Sequence, residues 1–277
     1  MAPAVQPLFV SEALVEGSGP LPRWTRVEFQ AMRLPLTLTD TLQLYNVTHG
    51  LPWVLMLDEQ SFRALPAALR LELLMVQRAA GRGGVQHVAD WRGRVSRADA
   101  EVIARQAGTD LFLWWPGLWW ALSGAGRETV LLDFLTEDRL LHRGAELTKK
   151  DWQRVDTRLP GVRTLAGRYA AESGANCLST VLAAFGHPGV ADLWLHQGPF
   201  ERWLQGAKPD ADPSAPGTVL VWRDATGCLQ HAAVSLGGGW VFQKDAQAWY
   251  APRQIVALPD LLARWHQSNW TVTAFCR

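Results

Sequence analysis

Residues 218–244 contain three short apolar runs separated by turn-forming residues, and this pattern restricts the fold more than any other part of the chain. The runs are residues 218–223, 229–236 and 240–244. Short runs rich in valine, leucine and tryptophan between such turns are typical of β-strands. Asp224–Gly227 and Gly237–Gly239 separate the runs, so the segment predicts an antiparallel sheet built from two successive hairpins.

The three glycines of the second turn set the register of its hairpin. If they form a three-residue loop, Leu236 pairs with Trp240. Ala233 then pairs with Gln243, because antiparallel partners run in opposite directions from the loop. His231 shares a face with Ala233, so Gln243 becomes a diagonal neighbour of His231 that can hold its imidazole in one orientation. A two-residue loop would place Gln243 on the opposite face.

Cys177 lies at the predicted start of a helix, in the sequence SGANCLST at residues 173–180. Asn176 is a favoured N-cap, which makes Cys177 the first helical residue. The apolar residues that follow have the spacing of one helical face: Leu178, Val181, Leu182 and Phe185. Gly186 and Pro188 are expected to end this helix. A thiol at a helix N-terminus can be acidified and can face N–H groups that hold an oxyanion, whereas the alternative is a small buried structural cysteine.

A nucleophilic cysteine usually needs a histidine, and His231 is the candidate with the most suitable surroundings. His187 follows the end of the cysteine helix, and His196 falls in a polar loop or helix end. The chain contains neither an H-E-x-x-H nor a C-x-x-C motif, so we expect neither a metal site nor a cofactor.

The order of these residues resembles the NlpC/P60 group of papain-like cysteine peptidases. A cysteine that starts a helix is followed by SAPGTVLVW at residues 214–222, and then by a histidine on a strand that ends in glycines. Gln243 is the polar residue on the next strand, at the position of the third catalytic residue of the family. The resemblance covers residues 160–277. It departs from the family at residues 176–179, where Asn-Cys-Leu-Ser replaces the usual Asp-Cys-Ser-Gly, and at Thr218, where aspartate is usual.

The resemblance implies an α+β fold in which the helix bearing Cys177 packs on a small antiparallel sheet. A polar helical segment followed by Pro160-Gly161, within residues 148–165, predicts a boundary between a mainly helical domain of unknown role at residues 1–155 and the papain-like domain at residues 156–277. The implied triad is Cys177, His231 and Gln243. The N–H of Cys177 and the side chain of Tyr169 would hold the oxyanion. The implied substrate is a peptide or glycopeptide, cleaved by a thiolate that pairs with an imidazolium.

The first half of the chain has mainly helical patterns. Its predicted helices cover residues 61–79, 96–106 and 128–143, and its predicted strand covers residues 34–47. Residues 1–30 are rich in proline and glycine and are expected to form an extended lead-in. The aromatic sequence WWPGLWW at residues 114–120 is expected to pack in a core or to dock the first half on the second.

The composition excludes several function classes. A formal net charge of +1 is too balanced for binding to nucleic acid. The apolar run at residues 111–124 is interrupted by Pro116-Gly117 and is too short for a transmembrane helix. Three cysteines and the lack of a recognisable signal peptide predict free thiols in the cytoplasm.

Two further interpretations stay open at the level of the sequence. The same cysteine and histidine could perform acyl transfer or deamidation, or the fold could be catalytically inactive and bind a partner through its tryptophan-rich first half. If Cys177 is an activated thiolate, iodoacetamide should modify it faster than Cys228 or Cys276.

Overall fold

The computed structural model describes residues 3–17, 21–44, 47, 50–136, 140–187 and 189–277. The chain divides into two compact units, Met1–Phe134 and Leu135–Arg277. The boundary predicted at 155/156 instead falls inside the helix Lys149–Arg158, whose Val155 is fully buried in the core of the second unit. The units contain helices together with antiparallel sheets, and the predicted α+β class is confirmed at this level.

The N-terminal unit contains two small antiparallel sheets. Its strands are β1 (Val5–Val10), β2 (Arg23–Thr25), β3 (Trp53–Asp58), β4 (Gln86–His87) and β5 (Leu111–Phe112). Its helices are α1 (Glu12–Gly17), α2 (Arg26–Ala31), α3 (Leu36–Thr41), α4 (Glu59–Ala64), α5 (Ala67–Ala79), α6 (Arg97–Ala107), α7 (Pro116–Ala121) and α8 (Gly124–Thr136). The strand order is β1-β3-β2 in one sheet, and β4 pairs with β5 in the other.

The strand predicted at residues 34–47 is wrong, because its centre forms α3. Pro35 precedes the first helical residue, and the hydroxyl of Thr39 donates to the carbonyl of Pro35 at 3.3 Å. The hydroxyl of Thr41 donates to the carbonyl of Thr37 at 2.7 Å. Each hydroxyl thus finds an acceptor four residues earlier in the chain, so the threonines are accommodated in the helix despite their preference for strands. Residues 45–46 of the predicted strand lie outside the described residues.

The other predicted elements of this unit differ in their limits. The helix predicted at 61–79 is divided into α4 and α5 at Pro66, and the one at 128–143 begins earlier and ends at Thr136. The predicted helix at 96–106 is confirmed as α6, and the hydroxyl of Ser96 accepts the N–H of Asp99 at 3.1 Å.

The tryptophans of residues 114–120 contribute mainly to the core of the N-terminal unit. Trp115 is buried, and Trp114 makes edge-to-face contacts with Trp91 and Phe112 at 5.1 and 5.0 Å between ring centroids. Trp120 is exposed. Core packing therefore explains Trp114 and Trp115, and their role in docking the two halves stays a prediction.

The C-terminal unit is built on one five-stranded antiparallel sheet with the order β10-β6-β7-β8-β9. Its strands are β6 (Val219–Arg223), β7 (Leu229–Gly237), β8 (Trp240–Lys244), β9 (Arg253–Ala257) and β10 (Thr271–Phe275). Its helices are α9 (Lys149–Arg158), α10 (Val162–Leu165), α11 (Cys177–Ala184), α12 (Gln197–Leu204) and α13 (Leu258–Arg264). The three strands predicted at residues 218–244 are confirmed as β6, β7 and β8.

Both faces of this sheet are covered by helices. One face packs against α9, α10 and α11, and it presents Val219, Val221, Ala232, Val234 and Phe242. The other face packs against Leu261 of α13, and it presents Leu220, Trp222, Ala233, Val241 and Val256. We refer to these as the α11 face and the α13 face. Because side chains alternate along a strand, each residue of β7 belongs to one face or to the other.

Candidate functional site

Cys177 is the first residue of α11, as the sequence predicts. The side chain of Asn176 accepts the N–H of Ser179 at 3.0 Å, and the hydroxyl of Ser179 accepts the N–H of Asn176 at 3.0 Å. This reciprocal pair fixes the start of the helix. The amide of Asn176 also donates to the carbonyl of Leu195 at 2.8 Å, which fastens the segment before α12 to the tip of α11.

Burial raises the pKa of the Cys177 thiol to about 11. The backbone N–H groups of Ala232, Leu178 and Cys177 itself lower it to a smaller extent, as does the positive charge of Lys244. The side chain is nevertheless only partly buried, since it reaches solvent through a cavity beside it. Cys177 is therefore a protonated thiol at neutral pH, and it needs a base before it can attack a carbonyl group.

The cavity beside Cys177 has a volume of about 300 Å³ and a largely polar wall. It is bordered by residues 176–178, 194–197, 229–231 and 245–247. The wall includes two imidazoles, His196 and His231, and one carboxylate, Asp245. The side chain of Gln197 donates to the carbonyl of Leu229 at 2.8 Å and joins two sides of the wall. A cavity of this size accommodates a few residues of a peptide-like substrate.

The second hairpin has the predicted register along its strands but a different loop. The pairs Val234–Phe242 and Ser235–Val241 match the prediction. The predicted pair Leu236–Trp240 is wrong, because Gly237 pairs with Trp240 and Leu236 forms a bulge. The loop is one residue shorter than predicted, and the bulge adds one residue to β7. The two changes cancel, so Gln243 remains on the same face of the sheet as His231. Gly237, Gly238 and Gly239 all have positive φ, which this tight turn requires.

His231 and Gln243 lie together on the α13 face. Burial, and then the nearby charge of Arg264, lower the pKa of His231 to about 3, whereas the adjacent Gln243 side chain raises it. The Gln243 amide donates to Asp245 at 2.9 Å and to Gln254 at 3.0 Å. The approach of Gln243 does not have hydrogen-bond geometry at either imidazole nitrogen, and both nitrogens are buried.

The structure places two of the predicted triad residues, Cys177 and His231, in the wall of one cavity, but they belong to opposite faces of the sheet. Cys177 packs with the core on the α11 face, whereas His231 shares the opposite face with its cross-strand partner Trp222. The indole of Trp265 stacks on the His231 ring at 4.0 Å between centroids and 13° between planes. His231 borders the cavity from β7, but no hydrogen bond connects it to Cys177. The alternation of side chains along β7 therefore puts His231 on the face opposite α11, although the N–H of the next residue, Ala232, contacts the Cys177 sulfur.

Tyr169 is not among the residues that border the cavity. Its side chain is 45% exposed. The preceding residues follow β9, since Gly167 donates to the carbonyl of Arg253 at 2.8 Å and Arg253 donates to that of Arg168 at 2.9 Å. Since Tyr169 does not border the cavity, the structure gives no support to its predicted role at the oxyanion site.

Lys244 and His196 are two site residues that sequence analysis missed. Lys244 is fully buried on the α11 face, and its ammonium donates to the carbonyls of Ala246 and Ala248 at 2.5 and 2.7 Å. Burying an ammonium costs free energy unless it is well paired, and these two carbonyls pair it. Lys244 directly precedes Asp245 of the cavity wall, and its charge lowers the pKa of Cys177. Nothing in the local sequence of β8 distinguishes this lysine from a solvated one.

Replacing Lys244 by Met is expected to slow alkylation of Cys177 and to destabilise the C-terminal unit by about 1–3 kcal/mol. The substitution removes a charge that favours the thiolate, and it leaves the carbonyl of Ala246 and the buried carbonyl of Ala248 without their ammonium donor. Iodoacetamide kinetics and urea unfolding measure the two effects. Lys150→Met, at an exposed position of α9, is the matched control and should change neither quantity. Equal alkylation rates in both variants would show that Lys244 does not influence the thiol.

Among the described residues, no group of three or more histidine, cysteine or acidic side chains is arranged to hold a metal ion. In the same residues, no helix combines the length and apolar character needed to cross a bilayer.

Comparison with known proteins returns no relationship. No family model matches the chain, and no curated protein or solved structure is significantly similar to it.

Proposed function

We propose that the chain is a cysteine hydrolase that cleaves a peptide-type amide bond, with Cys177 as its nucleophile. The observation that carries this proposal is the opening of a partly exposed thiol, at the N-terminus of a helix, into a polar cavity of about 300 Å³. The N–H groups at the start of α11 point toward the sulfur, and they are natural donors to an oxyanion that forms next to it. The alternative of a structural cysteine does not account for a polar cavity at the sulfur.

The reaction follows from these groups. A base takes the thiol proton of Cys177 as the sulfur bonds to the carbonyl carbon, and the carbonyl electron pair moves to oxygen. The oxyanion collapses, the carbon–nitrogen bond breaks, and the protonated base gives its proton to the leaving amine. Water then hydrolyses the thioester and restores the thiol.

The papain-like arrangement of the NlpC/P60 group belongs to the same proposal. Its support is the packing of α11 on an antiparallel sheet, together with the chain order of cysteine helix and strands. A peptide or glycopeptide substrate fits the largely polar wall of the cavity. A reducing cytoplasm is the proposed location, because all three cysteines are free thiols.

Hydrolysis of a panel of peptides and cell-wall muropeptides, followed by mass spectrometry, tests the proposal. Cys177→Ala is expected to lower the rate by about 10⁴-fold or more, because the nucleophile is lost. Cys228→Ala, which removes an exposed thiol, is the matched control and should retain full activity. Release of ammonia from glutamine side chains would identify a deamidase. Transfer of the acyl group to an added amine would identify an acyltransferase. Activity that survives in Cys177→Ala would refute the proposal.

A further inference from the structure

The thiol of Cys177 cannot act without a base, since it is protonated at neutral pH. Within the wall of the cavity, the described imidazoles are His231 and His196. The base must be the imidazole that can approach the Cys177 sulfur through the cavity.

His231 is poorly oriented for this task. It belongs to the α13 face, on the other side of the sheet from α11, and it is 1% exposed. Trp265 covers one side of its ring, and Trp222 contacts it at 5.3 Å between centroids. The Cys177 sulfur contacts the N–H of Ala232, the residue after His231, but the imidazole would have to leave its aromatic stack to accept the thiol proton.

His196 borders the same cavity as the thiol, and its segment is tied to the tip of α11. Asn176 directly precedes Cys177, and Leu195 directly precedes His196. A hydrogen bond of 2.8 Å joins Asn176 to Leu195. Cys177 and His196 therefore each directly follow one of two residues that are bonded to each other. The His196 side chain is exposed, so it can approach a substrate and exchange a proton with solvent.

The His196 ring also has a defined orientation. It stacks on the indole of Trp194 at 6.2 Å between centroids and 22° between planes. Trp194 is itself half exposed and borders the cavity. Such a stack limits rotation of the ring while it leaves the ring nitrogens accessible.

We propose that His196, rather than His231, is the general base that accepts the Cys177 proton and later protonates the leaving group. This inference rests on the proposed function, because it assigns a second residue to the same reaction. In the acylation step the sulfur–hydrogen bond breaks, the proton moves to a nitrogen of His196, and the sulfur bonds to the acyl carbon. His231 then has a structural role within the aromatic stack of the α13 face.

Acylation by p-nitrophenyl acetate tests the assignment without knowledge of the natural substrate. The acetyl group moves to the Cys177 sulfur, and the released p-nitrophenolate is followed by its absorbance. His196→Ala is expected to lower the acylation rate at neutral pH by about 100-fold or more. Added imidazole should restore much of the rate, because the open cavity admits it and it replaces the missing base. A merely structural role of His196 would give no such rescue.

Two matched variants complete the test. His231→Phe keeps a ring for the Trp265 stack, and its acylation rate is expected to fall far less than that of His196→Ala. His187→Ala, at an exposed histidine outside the cavity wall, should have no effect. Loss of acylation in His231→Phe, with full activity in His196→Ala, would overturn the assignment but leave the proposed function intact. Acetylation that continues in Cys177→Ala would instead refute the proposed function itself.

Discussion

Iodoacetamide at neutral pH is expected to modify Cys177 about 100-fold more slowly than an ordinary thiol, because burial raises its pKa to about 11. Cys228 and Cys276 are exposed and should be carbamidomethylated first. This order is the reverse of what the sequence predicts for an activated thiolate. A raised thiol pKa means that the thiolate fraction at neutral pH is small, and that it grows tenfold with each unit of pH until the pKa is reached.

Time-resolved mass spectrometry of the three cysteine peptides measures this order. In urea-unfolded protein the burial of Cys177 is lost, so all three cysteines should react at comparable rates, which provides the internal control. The rate at Cys177 should keep rising with pH well above neutrality. Preferential labelling of Cys177 near neutral pH would contradict the prediction and would favour a preformed thiolate–imidazolium pair.

A protonated resting thiol is compatible with catalysis. The helix N-terminus and the charge of Lys244 favour the thiolate, but their combined effect is smaller than that of burial. Proton transfer and attack on the carbonyl would then occur together, as they do when the nucleophile is a hydroxyl group. The site would react slowly with an alkylating reagent, which makes no use of the base, and faster with an acyl donor that is bound next to the base.

The strands and the cysteine helix were predictable because their signals are local. Turn residues divide residues 218–244 into β6, β7 and β8, and Asn176 marks the start of α11. Even the register near Gln243 follows from the hairpin, since the bulge at Leu236 compensates for the shorter loop.

The face of β7 that carries His231 could not be assigned from the sequence. When one face of an antiparallel strand is solvated, polar and apolar residues alternate, and this alternation shows which face is buried. β7 is buried on both faces except at Gln230, so its sequence does not indicate which face α11 covers. The predicted neighbours His231 and Gln243 do share a face, but it is the one that α13 covers.

His196 was missed because its relation to Cys177 is long-range. The hydrogen bond between Asn176 and Leu195 spans a loop, and no periodic pattern in the sequence reports such a contact. The sheet of the N-terminal unit was missed for a different reason. Pro7 interrupts the strand pattern of β1 in the sequence. β1 is an edge strand, however, and proline is tolerated in edge strands.

The Pro160-Gly161 pair gave the sequence an apparent domain boundary, but the structure places Gly161 directly against the helix of Cys177. The N–H of Gly161 donates to the carbonyl of Ala184 at 3.1 Å. A Cβ atom at Gly161 would lie 1.9 Å from the carbonyl oxygen of Ala183, in the last turn of α11. Backbone atoms on both sides leave no flexible side chain that could move aside.

Gly161→Ala is therefore expected to destabilise the C-terminal unit by about 3 kcal/mol, at the upper end of the cost of overpacking. The substitution must displace α11, so alkylation of Cys177 should become faster as its burial is lost. Urea unfolding measures the loss of stability. Hydrogen exchange in peptides of α11 and β7 then shows which elements are destabilised. Gly198→Ala in α12 is the matched control, because a Cβ there meets its nearest neighbour, the guanidinium of Arg202, at an ordinary 3.6 Å. It should change stability by no more than about 0.5–1 kcal/mol. Equal unfolding midpoints for the two variants would show that α10 and α11 are not packed as closely as the structure describes.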